Sequence, residues 1–414
     1  MTDSTSKNQL LSAAKAAKND EFYTQYADIQ KEIEAYLEYD ADTFRNKVVY
    51  CNCDDPFESD FFKYFAANFN RLGLKKLITT SYDGSTIAGK QLTLKEYAEG
   101  NGKRPKPKAI AVEIEEVTDL DGDGAAGIED VALFLEQNPH ARTKLKGGGD
   151  FRSAECVKLL EDADIVVTNP PFSLFREYVA LLIEHNKRFI VVGPKNAITY
   201  QEIFPLIKSG ELWLGSGFAN GNAYFSIPPE RSREFAPGVY DEETGLVKFR
   251  NVGWFTNMDH GRRHEELPLM TLEDNLRFSK HSSIKGKEAY DVYDNYDAIE
   301  VPYVDSIPSD YTGIMGVPIT FLDKYNPSQF EIVGWARGRK EFDIHPTKQY
   351  ENPRQHKPNG KIVGGGKVST GPNIRRDEKP SKTYYTADGV EGYLEQLYMR
   401  IFIRHRRSEP TTGN

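Results

Sequence analysis

Asp164-Ile165-Val166-Val167-Thr168-Asn169-Pro170-Pro171-Phe172 is the stretch on which the fold turns. A short apolar run closed by Asn-Pro-Pro reads as a strand buried on both faces, as in a parallel sheet. Working outward, Leu174 to His185 has helical periodicity. Phe189-Ile190-Val191-Val192 is a second such strand, leading into Gly193-Pro194-Lys195-Asn196. Upstream, Lys47 to Cys51 reads as a strand, followed by the loop Asn52-Cys53-Asp54-Asp55-Pro56. A helix bearing Phe61, Phe62, Phe65 and Phe69 follows, then a strand at Leu77-Ile78-Thr79-Thr80. Residues 28–38 carry Ile29, Ile33, Tyr36 and Leu37 at helical spacing. Alternating strand and helix predicts a parallel, doubly wound α/β sheet, whose ligands sit beyond the carboxyl ends of the strands.

The rest of the 414 residues bounds this reading. Such a length suggests two or three domains. We expect a catalytic domain over residues 1–230, with 84–147 as an insertion. That insertion carries the basic loop Lys103 to Lys108 and a strand from Ala109 to Val117. Residues 231–414, rich in Pro, Gly and Tyr with short strands, are expected to extend the sheet and form an α+β recognition region. No repeats are found. No run of about 18 apolar residues is found, so no membrane span is expected. The N-terminus lacks a signal-peptide apolar stretch. Cys51, Cys53 and Cys156 give no disulfide framework and too few ligands for a four-cysteine zinc site, which suits a reducing cytoplasm. Net charge is −9, unevenly spread: residues 331–414 carry 16 Lys+Arg against 10 Asp+Glu, a local +6 that leaves −15 on the remainder. A basic C-terminal third on an acidic body is compatible with nucleic acid.

Asn169-Pro170-Pro171-Phe172 carries the chemistry. The exocyclic nitrogen of adenine is a poor nucleophile because its lone pair is delocalised into the ring. The Asn169 amide oxygen and the Pro170 carbonyl can accept its two N–H bonds, orient the lone pair and stabilise charge that develops on nitrogen. Pro170 and Pro171 fix the loop. Phe172 offers a flat face for a flipped base. The same four residues could also close a strand as a plain Pro-Pro turn. Gly149-Asp150-Phe151, shortly before this strand, could hold an adenine ring by hydrogen bond and stacking. Transfer to carbon 5 of cytosine is excluded, because that chemistry needs a thiolate, usually in a Pro-Cys pair, and none exists here.

Together these residues resemble the EcoRI-type adenine-specific DNA methyltransferases. The likeness runs through Asn19 to Thr24, Tyr50 to Pro56, Gly149 to Ser153, Asn169 to Phe175 and Trp254 to Asn257. It implies a Rossmann-like, S-adenosylmethionine-dependent methyltransferase domain followed by a DNA-recognition region. It sets Tyr23 and Thr24 near the methionine part of the cofactor and Cys53, Asp54, Asp55 and Pro56 in the first cofactor loop. Asp150 and Phe151 fall against the cofactor adenine, and Asn169, Pro170, Pro171 and Phe172 in the catalytic loop. Double-stranded DNA is the implied partner; the alternatives are a restriction-modification enzyme with a cognate restriction endonuclease acting on the same site, and an orphan or phage methylase without one. One departure is that no glycine interrupts Cys53 to Pro56, where many such enzymes have Phe-x-Gly-x-Gly. Asp83 is the candidate for the cofactor ribose. Related Asn-Pro-Pro-aromatic loops also serve RNA and protein-glutamine methyltransferases, and a catalytically silent DNA-binding protein is a third alternative.

Other constellations carry two readings each. Asp119, Asp121, Asp123 and Asp130 match calcium-loop spacing, with Gly124 at position 6, although Gly127 at position 9 offers no ligand. The alternative is an Asp/Gly turn capping a helix from Ile128 to Gln137. His260 and His264 flank Arg262-Arg263 and suit phosphate contact or plain surface. Trp254, Phe255, Tyr224 and Phe225 are candidates for a second wall of a base pocket, against a core role. Arg337, Arg339, Arg375 and Arg376 are candidate base readers, and Lys340, Lys361 and Lys367 candidate phosphate contacts.

Overall fold

A computed structural model describes residues 23–53, 59–81, 109–120, 130, 133–134, 137–138, 142–218, 221–226, 239–336, 343–366 and 368–406. The chain divides into two compact units, Met1–Gly261 and Arg262–Asn414.

The first unit opens with β1 (Tyr23–Thr24) and α1 (Tyr26–Tyr39), whose Ile29, Ile33 and Tyr36 form a buried stripe. β2 (Val48–Cys51) follows, buried along its whole length. α2 (Asp60–Ala67) starts where the Ser59 side chain accepts the Phe61 N–H, satisfying one of the helix's orphan donors. It buries Phe61, Phe62 and Phe65. α3 (Phe69–Leu72) ends at Gly73, whose φ of +62° is the left-handed cap that glycine adopts without strain. β3 (Lys76–Thr80), β4 (Ile110–Ile114) and β5 (Arg142–Lys144) come next. Then follow α4 (Ala154–Asp162), β6 (Ile165–Thr168), α5 (Phe175–Glu184) and β7 (Arg188–Pro194). The unit closes with α6 (Phe204–Ser209), β8 (Trp213–Leu214), β9 (Ala223–Ser226), β10 (Tyr240–Asp241), β11 (Leu246–Phe249) and β12 (Val252–Thr256).

Eight of these strands form one sheet, in the order β5-β4-β3-β2-β6-β7-β12-β8. The four central strands β3-β2-β6-β7 are parallel, with Val49 opposite both Leu77 and Ile165. From β2 the chain winds outward to β3; from β6 it winds the other way to β7. The reversal therefore falls between β2 and β6. At the edges the sheet departs from the all-parallel expectation, since β4 runs antiparallel to β3, and β12 antiparallel to β7 and β8. Val252 to Thr256 is wholly buried. Uniform burial marks a central strand but carries no information on its direction. β12 also explains why the compact units part at 261/262 rather than near residue 230: the main sheet is incomplete without it. A small second sheet, β1-β9-β11-β10, pairs Tyr23 with Ser226 and Thr24 with Phe225.

The second unit contains α7 (Leu272–Phe278), which starts where the Thr271 hydroxyl accepts the Asp274 N–H. Its strands are β13 (Ile299–Glu300), β14 (Met315–Pro318), β15 (Phe330–Trp335), β16 (Glu351–His356) and β17 (Ile362–Gly364). They continue with β18 (Asn373–Arg376), β19 (Tyr384–Asp388), β20 (Tyr393–Gln396) and β21 (Arg400–His405). They form two sheets, β13-β14-β21-β15 and β17-β16-β19-β20-β18. Ile401, Phe402 and Ile403 of β21 are buried, with Phe402 stacked on Tyr293.

Candidate active site

The strand register joins the two loops singled out by sequence. Tyr50 lies beside Val166, so Asn52 follows β2 where Thr168 ends β6. The Thr168 hydroxyl donates to the Asn52 carbonyl. The buried Asn52 Oδ1 accepts the Thr80 hydroxyl at 3.2 Å and the Cys53 thiol at 3.5 Å, while Thr80 and Tyr50 hydroxyls lie 3.0 Å apart. One polar network thus ties the carboxyl ends of β3, β2 and β6 at the reversal of winding. In open α/β sheets that is where ligands bind.

Cys53 has φ +65°, the left-handed conformation. The loop that lacks a glycine nevertheless makes the turn a glycine would make, with a half-buried thiol in its place. Cys51 and Cys156 are buried, and burial pushes the Cys156 thiol up, so it packs rather than reacts. Among the described residues the Asn52 Nδ2 and Thr24 Oγ1 atoms are buried without a hydrogen-bond partner. Buried polar groups are nearly always satisfied. Two orphans on segments assigned to the cofactor therefore fit a bound group rich in donors and acceptors, as S-adenosylmethionine is.

On the catalytic side, Pro170 is buried, and Asn169, Pro171 and Phe172 are half-buried. The Leu174 N–H donates to the Pro171 carbonyl at 3.0 Å, closing a 3₁₀ turn over Phe172–Leu174 that leads into α5. One side of Phe172 packs on the main core while part of the ring stays open.

Asp150 and Phe151 make contacts of their own. The Asp150 carboxylate accepts the Arg152 backbone N–H at 2.9 Å, Nε at 3.0 Å and Nη2 at 2.8 Å. These bonds hold its carboxyl below the usual aspartate range. Arg152 also reaches Glu177 on α5 at 2.8 Å. The Phe151 ring is buried edge-on to Tyr178 at 5.0 Å, with the Arg152 guanidinium 5.2 Å from its centroid. Tyr23 is half-buried in the β1–β9 pair.

Several sequence expectations change. Trp254, Phe255 and Phe225 are core side chains, and only Tyr224 is exposed, with Lys248 5.7 Å from its ring. His260 is buried against Tyr36, its Nε2 3.0 Å from the Leu214 carbonyl, so it is not a phosphate contact. Arg376, a candidate base reader, is engaged within the unit: Nη1 pairs with Asp291 at 3.1 Å and Nε with Glu395 at 2.9 Å. Arg375 and Lys361 are exposed. Asp119 is exposed. Asp130 is buried, and its Oδ1 accepts the Leu120 N–H at 2.6 Å, which pins a turn. No group of three metal-ligating side chains occurs among the described residues, and the calcium expectation finds no support. Asp54, Asp55, Pro56, Asp83, Asp121, Asp123, Arg337, Arg339, Lys340 and Lys367 lie outside the described residues, as do Asn19 to Phe22 and Lys103 to Lys108.

Sequence reasoning missed Glu32. It is fully buried on α1 and accepts the Ser216 N–H and hydroxyl at 2.9 Å each, the Gly217 N–H at 3.0 Å and the Tyr36 hydroxyl at 3.1 Å. Burial pushes its carboxyl up. A Cβ at Gly215 would collide with it, so that position requires glycine. The available signal was a charge inside the apolar stripe Ile29, Ile33, Tyr36.

An α/β unit in which the end of β2 and the Asn-Pro-Pro-Phe loop meet at the sheet's reversal suits an amino-group methyltransferase. The family described as adenine-specific methyltransferase EcoRI matches residues 10–406. The type II methyltransferase M.EcoRI of Escherichia coli is 42% identical over 345 residues, 81% of this chain and 92% of its own. M.MgeORF184P of Mycoplasma genitalium is 36% identical over 326 residues, 77% of this chain and 84% of its own. M.MpnI of Mycoplasma pneumoniae is 34% identical over 325 residues, 77% and 83%. No solved structure matches. The chain belongs to the EcoRI family of adenine-specific methyltransferases and uses S-adenosylmethionine. No described helix is long and apolar enough to cross a membrane.

Proposed function

We propose that the chain methylates N6 of adenine at one sequence in duplex DNA, acting on a base turned out of the helix. The observation that carries this reading is the Thr168–Asn52 hydrogen bond. It fixes the residue before Asn169 to the residue before Cys53, so acceptor loop and cofactor loop share one seam. The first unit is the doubly wound, Rossmann-like catalytic domain; the second is the α+β target-recognition region. Asn169 Oδ1 and the Pro170 carbonyl accept the two N–H bonds of the target amino group, and Phe172 stacks on the base. Pro170 and Pro171 keep these acceptors in place before the base arrives, so no reorganisation is needed during transfer. When bound, S-adenosylmethionine supplies an electrophilic methyl group. Tyr23, Thr24, Asn52, Cys53 to Pro56, Asp83, Asp150 and Phe151 would hold it. The proton displaced from nitrogen leaves to solvent, with no covalent enzyme intermediate.

Duplex DNA is favoured over RNA or a protein amide by the charge asymmetry between the C-terminal residues and the body. By analogy with the relatives named type II methyltransferases, a cognate restriction endonuclease in the same cytoplasm would cut the same site. The test is to incubate the protein with labelled S-adenosylmethionine and genomic DNA, digest to nucleosides and map the label. N6-methyladenine at a single sequence is expected; label on cytosine, or none on DNA, overturns the reading.

A further inference from the structure

The five-stranded sheet of the second unit ends in an uncovered ribbon. Among the described residues β17 is an edge and pairs only with β16, through Arg354↔Gly364, Gln355↔Val363 and His356↔Ile362. Lys357-Pro358-Asn359-Gly360-Lys361 joins the two strands. The Gly360 N–H donates to the Lys357 carbonyl at 3.0 Å and the Lys357 N–H to the Lys361 carbonyl at 2.9 Å. The Lys361 N–H donates to Asn359 Oδ1 at 3.1 Å. Pro358 presets φ, and Gly360, at φ +79°, takes the left-handed position that closes such a three-residue loop. The tip is therefore rigid. Its root is rigid too: Gln355 Nε2 donates to the Tyr385 hydroxyl at 2.7 Å, and the His356 ring stacks on Tyr384 at 4.7 Å.

Residues 357–362 are all exposed, and Ile362 is 57% exposed. Proteins usually blunt an edge strand, because bare backbone and apolar side chains invite unwanted pairing. Here the edge keeps an isoleucine in solvent, next to Lys357 and Lys361, neither of which has an acidic partner among the described residues. Three arginines of this unit, by contrast, are neutralised: Arg376 by Asp291 and Glu395, Arg400 by Glu300, and Arg404 by Glu331.

We propose that the β16–β17 hairpin enters the major groove of duplex DNA, with Lys357 and Lys361 on phosphates and Ile362 against base edges. This rests on the DNA reading above. The major groove admits a two-stranded ribbon, and an apolar side chain there meets the thymine methyl group. A tip already ordered loses little conformational entropy on docking. Two unpaired lysines at the tip match the phosphate charge and disfavour a second copy of the chain, whose tip would repel this one.

The test uses the full chain and the mapped duplex, with binding followed by fluorescence anisotropy over a salt series. Each phosphate contact contributes about 0.9 to the slope of log affinity against log salt, so Lys357→Ala/Lys361→Ala should flatten it by about two. The wild-type advantage should then shrink roughly tenfold between 50 and 200 mM salt. Calorimetric affinity for S-adenosylhomocysteine and the thermal transition of the second unit should both be unchanged, which shows that each unit of the variant is folded. Replacing thymines of the site one at a time by uracil should weaken the wild type at one position and Ile362→Ala at none. If the wild type binds and methylates DNA but the double variant keeps the wild-type slope, the hairpin proposal fails and the methylation reading stands. A wild type that binds no duplex sinks both. A variant that loses self-association while keeping the slope marks the edge as a contact between copies and also overturns the proposal.

Discussion

Glu32→Ala is the most informative single change in the first unit. It removes a carboxylate that accepts four hydrogen bonds and ties α1 to the loop after β8. The Tyr36 hydroxyl, fully buried, loses its acceptor; a buried orphaned donor costs about 1–3 kcal/mol. Ser216 and Gly217 are half-buried, so water entering the vacated space recovers part of their loss. Release of a buried charge offsets some of the rest. The net is roughly 3 kcal/mol, or a fall of about 6–12 °C in Tm for a unit of this size. Glu32→Gln keeps the shape but turns an amide N–H₂ toward one backbone N–H and one hydroxyl, which can rotate to accept, so it should cost less than Glu32→Ala. The pH dependence adds a sign. Burial raises the Glu32 carboxyl above its ordinary 4.5, so the folded chain holds a proton that the unfolded chain releases. Its contribution is complete below 4.5 and is lost as pH rises through the raised value, a slope that Glu32→Gln removes. Scanning calorimetry of wild type and both variants from pH 4 to 8 measures this. Tm shifts under about 2 °C in both variants would refute the reasoning.

Three further outcomes are expected. Asn169→Ala should lower turnover on the order of 100-fold or more while S-adenosylmethionine affinity by calorimetry stays near wild type; near-normal turnover would remove Asn169 from the reaction. Asp150, held below its ordinary 3.8 by Arg152, gives stability that is present above 3.8 and lost as pH falls through the lower folded value. Asp150→Asn should flatten that acid limb in urea titrations and weaken cofactor affinity more than DNA affinity. Arg376→Ala should lower the thermal stability of the second unit and leave base discrimination at the mapped site unchanged, as read by competition binding; relaxed specificity without loss of stability would restore Arg376 as a reader.

The strands beneath the site were legible because local composition decides them. Val48 to Cys51 and Ile165 to Thr168 can only be strands buried on both faces, and the turn residues after them place the loops. The helix read as Leu174 to His185 is found at Phe175–Glu184. What was not legible depends on distant partners. Nothing near Arg376 announces Asp291 and Glu395, and nothing near Asp130 announces that its oxygen caps Leu120. Strand direction at β4 and β12 follows from where the chain returns, not from which residues are apolar. Asn52 lay in the quoted loop, yet its place at the centre of the network needed the register between β2 and β6.

Cys53 turns the missing glycine into a chemical handle. Of the three cysteines it alone is not buried. A thiol-selective dye or an alkylating label added to the native protein should therefore modify one position, just past the carboxyl end of β2. A glycine at this position would be silent to such chemistry; here the labelling rate, with and without added S-adenosylmethionine, reports on the carboxyl end of β2.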